Sequence, residues 1–220
     1  MHELVQPVLD EAERDDNVVG VLIKGSQAMG AADEESDWDV VVVLLQGEPS
    51  QKKDGRLELI TTTLERVRAV SSWELPALAH SRVLLDKTGE LAEAVEAAGH
   101  LTRKELAELY DGYLNDFARS LKSWRRGREL GARIMCGRSL WWLGDFLIAL
   151  EGKRAPYAEH WGGRLGGLEP LILEVARTAD PRRQQELQAA VEQIATAHGF
   201  HDVYDAWDGD IDRVMGFRFE

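Results

Sequence analysis

The stretch Gly25-Ser26-Gln27-Ala28-Met29-Gly30, followed by Ser36-Asp37-Trp38-Asp39, decides how the first half of this chain reads. It lies between two apolar runs, Val18 to Ile23 and Val40 to Leu45. Short continuous apolar runs bounded by turn residues read as buried strands. Gly25-Ser26 breaks the first run, residues 27–29 can make one helical turn before Gly30, and residues 33–36 read as a polar loop. Gly25 allows close backbone approach to a ligand and unusual dihedrals. Ser26 offers a hydroxyl that, with neighbouring N–H groups, can cradle phosphate oxygens. Asp37 and Asp39 are two apart on extended chain, so both carboxylates face one side while Trp38 points the other way, to the core.

Outward from that stretch the first half alternates helix and strand. Leu4, Val5, Val8 and Leu9 recur at helical spacing, and Asp15-Asp16-Asn17 ends that helix. Residues 46–55 hold Gly, Pro, Ser and two Lys and read as a surface turn. Strands are expected at 56–63 and 82–86, and helices at 64–72 and 91–98. The second half reads as helix throughout. Thr102 with Glu105 forms a capping-box pattern ahead of a helix to about Gly127. Further helices are expected over 129–150, 168–179 and 181–198, the last opening at Asp180-Pro181. Residues 151–167 read as loop and 200–220 as an acidic, aromatic tail. The expected architecture is an α/β (α+β) N-terminal domain with a mixed sheet, residues 1–98, followed by an all-α helical bundle, residues 99–220.

Charge separates the halves as well. The 220 residues carry 26 Lys+Arg against 39 Asp+Glu, a formal net charge of −13. Residues 1–100 hold 9 basic and 20 acidic side chains, and residues 101–220 hold 17 and 19. Net acidity disfavours a nucleic-acid clamp, whose affinity comes largely from phosphate neutralisation, and suits a cationic small substrate. The single cysteine, Cys136, excludes an intrachain disulfide and a cysteine metal cluster. No apolar run reaches the roughly 18–20 residues of a membrane span. The acidic, amphipathic N-terminus reads as neither signal nor transit peptide. The expectation is a cytoplasmic, soluble protein without a membrane partner.

Two carboxylates from Asp37 and Asp39 are hard oxygen ligands suited to Mg²⁺. If Leu57 and Leu59 face the core, Glu58 between them faces the surface on which Asp37 and Asp39 lie. Three carboxylates from neighbouring strands can hold two divalent ions about 3.5–4 Å apart, a geometry for in-line phosphoryl displacement. Glu65 and Asp86 are the fallback third carboxylates.

This constellation resembles the nucleotidyltransferase superfamily that includes DNA polymerase β, through Gly25, Ser26, Asp37, Asp39 and Glu58. The longer form, with Gly30 and Ser36, is similar to small bacterial aminoglycoside and lincosamide nucleotidyltransferases. The motif covers residues 25–60. The second half resembles the helical domain of such enzymes through residues 149–153 and Pro156-Tyr157. Relatives often carry Asp where this chain has Glu58, and Arg where it has Met29. The resemblance implies that Asp37, Asp39 and Glu58 bind two Mg²⁺ ions and carry catalysis, Glu58 also serving as base. It implies that Gly25 and Ser26 hold the β- and γ-phosphates of ATP or another NTP, with Ser36 and Lys153 as further nucleotide contacts, and that the nucleotide lies between the two domains. The implied reaction moves a nucleoside monophosphate, AMP in the first instance, onto a hydroxyl of a small, cationic acceptor of the aminoglycoside kind. The alternatives are an adenylyltransferase that modifies a protein, as in toxin–antitoxin pairs, and a nucleotide-binding module without turnover.

Other clusters read more blandly. The basic run Arg119, Lys122, Arg125, Arg126, Arg128, Arg133, Arg138 reads as a solvated helix hairpin. Tyr157, His160 and Trp161 read as packing residues that could stack on a ring. Asp202, Asp205, Asp208, Asp210 and Asp212 lack the glycine and glutamate positions of a calcium loop.

Overall fold

The computed structural model describes residues 3–219. The chain forms two compact units, Met1–His100 and Leu101–Glu220. The first holds β1 (Val18–Lys24), β2 (Trp38–Leu44), β3 (Ser50–Asp54), β4 (Leu57–Thr63) and β5 (Arg82–Asp86), with α1 (Gln6–Arg14), α2 (Gly25–Met29), α3 (Leu64–Arg68), α4 (Leu75–Ala79) and α5 (Glu90–Gly99). The strands form one mixed sheet in the order β3-β4-β2-β1-β5. β2 and β4 run parallel, and the other pairs are antiparallel.

Alternation along the strands builds two cores, one on each face. Val19, Leu22, Val41 and Val43 pack with Val67, Leu78, Leu91 and Ala94 from α3, α4 and α5. Val21, Ile23, Trp38, Val40 and Val42 pack with Val5, Leu9 and Ala12 at and within α1. The central strands β1 and β2 are covered on both faces, which is why they read as continuous valine-rich runs.

β3 corrects the reading of residues 46–55 as turn. All five of its residues are exposed, so it carries no apolar alternation, and an edge strand is held by ladder bonds to one neighbour instead. The helix expected at 64–72 stops at Arg68, because Ser71 turns the chain into the following segment with its carbonyl accepting the Glu74 N–H at 2.9 Å.

The second unit is helical: α6 (Arg103–Arg125), α7 (Glu129–Ala149), α8 (Glu169–Thr178), α9 (Pro181–Ala197), α10 (His201–Asp205) and α11 (Asp210–Met215), with single 3₁₀ turns at 158–160 and 166–168. Its core joins Tyr110, Tyr113, Leu114, Phe117 and Leu121 of α6 to Leu143 and Phe146 of α7 and to Leu187 and Val191 of α9. The Thr102–Glu105 capping box is formed: the Glu105 N–H donates to Thr102 Oγ1 at 3.2 Å and the Thr102 N–H donates to Glu105 Oε2 at 2.8 Å. Asp180 caps α9, accepting the N–H groups of Arg182 and Arg183. The tail is more ordered than its composition suggests, since Phe200, Ile211 and Val214 are buried in this core. Among the described residues no helix is long and apolar enough to cross a membrane.

Candidate active site

Strand register brings the candidate residues of the first unit into one row. Lys24 of β1 is the partner of Asp39 in β2, Asp39 is the partner of Glu58 in β4, and Glu58 is the partner of Lys53 in β3. Paired residues on adjacent strands project from the same face, so the row runs cation, carboxylate, carboxylate, cation. Asp37, just before β2, joins it through Lys53, whose Nζ lies 2.5 Å from Asp37 Oδ2. Gln51, on the same face of β3 as Lys53, donates its amide N–H to Glu58. Trp38 faces the other way and is buried with the valines against α1.

The carboxylates differ in character. Burial pushes the Asp39 carboxyl above its usual range, and the hydrogen bond to Glu58 and that residue's charge push it further, with Asp37 adding and Lys24 opposing. Glu58 is drawn below its usual range, first by the Gln51 amide and then by Asp39 and the two lysines. A proton held between the pair therefore sits on Asp39. The Asp37 carboxylate raises the Lys53 ammonium, so that cation stays charged.

Gly25 is required here for two reasons. Its φ is +72°, a region that side chains disfavour, and a Cβ on it would stand 2.8 Å from Asp39 Oδ2. The strand-ending glycine thus lies directly against the carboxylate of the row. Ser26 follows it in α2, and its carbonyl accepts the N–H of Gly30 and, at 3.0 Å, of Ala31. The Ser36 hydroxyl donates to Asp33 Oδ1 at 2.7 Å and accepts the Asp33 N–H at 2.9 Å, so it closes the 33–36 loop. That bond is also the leading reason Asp33 titrates below its usual range.

Lys153 stands in the second unit, exposed in the turn after α7. Of the fallback carboxylates, Asp86 is occupied at the start of α5, accepting the N–H groups of Thr88, Gly89 and Ala92. Glu65 is exposed in the first turn of α3. Lys122, Arg133 and Arg138 of the basic run find acids within their own unit, at Asp210, Glu129 and Asp116. Asp202 of the acidic tail pairs with Arg103, and Asp212 accepts from the Tyr204 hydroxyl. Trp161 packs on Gly144 and donates its indole N–H to the Pro156 carbonyl at 2.8 Å.

Among the described residues no three acidic, imidazole or thiol groups stand as a ready-made metal cage. Lys53 and Gln51 hold Asp37 and Glu58 in the positions found. The donor chemistry nonetheless suits a hard cation: all three groups are carboxylates, and Asp39 bears the cost of two acidic neighbours. Sequence reading missed Lys24, Gln51 and Lys53. Only strand pairing brings them to the row, although Lys24 directly precedes the glycine.

No protein family matches the chain, and no curated protein matches its sequence. Among solved structures, a nucleotidyltransferase-like protein from Exiguobacterium sibiricum 255-15 is similar at 10% identity and a TM-score of 0.46, over 96% of this chain and 77% of that one.

Proposed function

We propose that the chain is a nucleotidyltransferase that moves a nucleoside monophosphate, AMP from ATP in the first instance, onto a hydroxyl of a small cationic molecule of the aminoglycoside kind. What supports this reading above all is the meeting of Asp39 and Glu58 in one register, with Asp37 beside them and Gly25 against the Asp39 carboxylate. Asp37, Asp39 and Glu58 would hold Mg²⁺. When bound, the metal supplies charge neutralisation on the phosphate and alignment of the attacking and leaving oxygens. Gly25 and Ser26 would hold the β- and γ-phosphates, with Ser36 as a further candidate for the nucleotide. The acceptor oxygen attacks the α-phosphorus, its proton passes to Glu58, and the bond to the bridging oxygen breaks to release pyrophosphate. The acidity of residues 1–100 favours encounter with a cationic acceptor.

The test is pyrophosphate release and label transfer from each nucleoside triphosphate with Mg²⁺, across an aminoglycoside panel and against lysate protein. Transfer to an antibiotic that is lost on Asp37→Asn or Asp39→Asn is the expected result. Transfer to protein alone would replace the small acceptor with a polypeptide. Nucleotide binding without pyrophosphate release, unchanged by either substitution, would overturn the catalytic reading.

A further inference from the structure

Four large apolar side chains on one side of the helical unit are exposed: Leu130 (74%), Ile134 (51%) and Trp141 (52%) on α7, and Leu173 (62%) on α8. On α7 they follow the spacing 130, 134, 137, 141, the seam of a helix pair. The position without a large side chain is Gly137, where an added Cβ would meet nothing within 4 Å. The stripe borders a groove of about 550 Å³ lined by Cys136, Gly137, Leu140, Trp141, Leu165 and Leu173 among others. Trp161 forms part of its wall, 5.6 Å from Trp141 between ring centroids and seated on Gly144. α7 thus carries large apolar side chains on its exposed side as well as on the side its own unit covers.

We propose that this face is covered by a second copy of the chain, with the two α7 helices crossing antiparallel about a two-fold axis at Gly137. An isologous contact requires one patch to carry both halves of the fit, and this patch does. The projecting residues Leu130 and Ile134 lie on the N-terminal side of Gly137, and the groove residues Leu140 and Trp141 lie on its C-terminal side. A two-fold at residue 137 sets Ile134 of each copy against Leu140 of the other. The glycine at the crossing lets the two backbones approach closely.

Charge favours the same partner and direction. Arg133 and Arg138, which flank the stripe, are paired within their own chain to Glu129 and Asp116, so they do not repel their counterparts. Exposed Arg126 and Arg128, just before α7, are carried toward the C-terminal end of the other copy's helix, which exposed Glu151 follows. Basic side chains ahead of one α7 thus approach the negative, C-terminal end of the other helix at both ends of the crossing. Residues 101–220 are close to neutral, whereas residues 1–100 carry most of the net negative charge, so copies meet with least repulsion through the helical unit.

The test is the mass of the full chain in solution at micromolar concentration, by light scattering or sedimentation. About twice 24.6 kDa is expected. Leu130→Glu with Ile134→Glu, and separately Leu173→Glu, return it to monomer with an unchanged circular dichroism spectrum, since the substituted positions are exposed. Gly137→Cys, in a chain whose Cys136 is replaced by Ala, gives a disulfide-linked dimer under oxidation because position 137 lies on the axis. A wild-type monomer throughout overturns the proposal, including the case in which a small molecule or a foreign protein fills the groove. A dimer that survives the glutamate substitutions, or one that Gly137→Cys does not cross-link under oxidation, overturns it equally.

Discussion

Each unit of this protein places acidic side chains among apolar ones, and the two do so to opposite ends. In the helical unit Asp116 is fully buried and fully matched. It receives Arg138 Nε at 3.1 Å, the Trp142 indole N–H at 3.2 Å and the Asn115 amide at 3.2 Å. In the sheet unit Asp39 and Glu58 are set against each other, two like charges at one register, with Asp37 adding to the repulsion. A buried carboxylate with three donors holds a fold in place. A carboxyl such as Asp39, whose charged form burial and acidic neighbours both penalise, marks a candidate ligand site.

Substitutions should separate the two cases. Asp39→Asn removes a repulsive partner, so the melting temperature should hold or rise while nucleotidyl transfer falls by about 100-fold or more, the scale of losing one preorganised electrostatic group. A fall in stability matching the fall in transfer would place Asp39 with Asp116 as a structural acid. Arg138→Leu should do the reverse. It strands a buried charge, at a cost of about 3 kcal/mol in denaturant unfolding of the helical unit, with Mn²⁺ binding at the sheet unit unchanged.

Asp145 sharpens the contrast by pH. It lies in α7, and burial pushes its carboxyl up to about 6, with Arg154 opposing. The folded state therefore binds a proton more tightly than the unfolded chain, whose value is near 3.8. Stability from this group is present below that lower value and is lost as pH rises to about 6. Above it the folded protein bears a penalty on the order of 3 kcal/mol. Asp145→Asn should stabilise the chain at pH 8 and change little at pH 4, as thermal melts at the two pH values will read. Equal effects at both would place the carboxylate in water.

The smallest expected effect is at the edge strand. Lys53 is exposed, and its pair with Asp37 is worth little to stability. Yet it occupies one of the carboxylates proposed to hold metal. Lys53→Met should leave the melting temperature within a degree or two and raise Mn²⁺ affinity a few-fold by calorimetry. Weaker Mn²⁺ binding would make Lys53 a support of the site and not a competitor for it.

Much of this arrangement was legible beforehand. The valine runs of β1 and β2 announced strands buried on both faces, and period-two alternation separated Glu58 from Leu57 and Leu59. Thr102 with Glu105, and Asp180 with Pro181, marked helix starts by local hydrogen bonding alone. Five exposed polar residues in a row gave β3 no periodicity to read, so the lysine it delivers to Asp37 stayed hidden. α11 was hidden in a different way, because short helices are stabilised by what they bury, here Ile211 and Val214, and α10 packs through the partly buried Val203 and Tyr204.

Chain-local physics, the spacing of apolar residues and the chemistry of turns and caps, determined from the sequence where the buried strands and the long helices lie and that Asp37 and Asp39 share a side. Strand pairing is settled between segments far apart in the chain, since ladder bonds are indifferent to side-chain identity. Only the tertiary structure could therefore decide that Lys24, Asp39, Glu58 and Lys53 stand in one row.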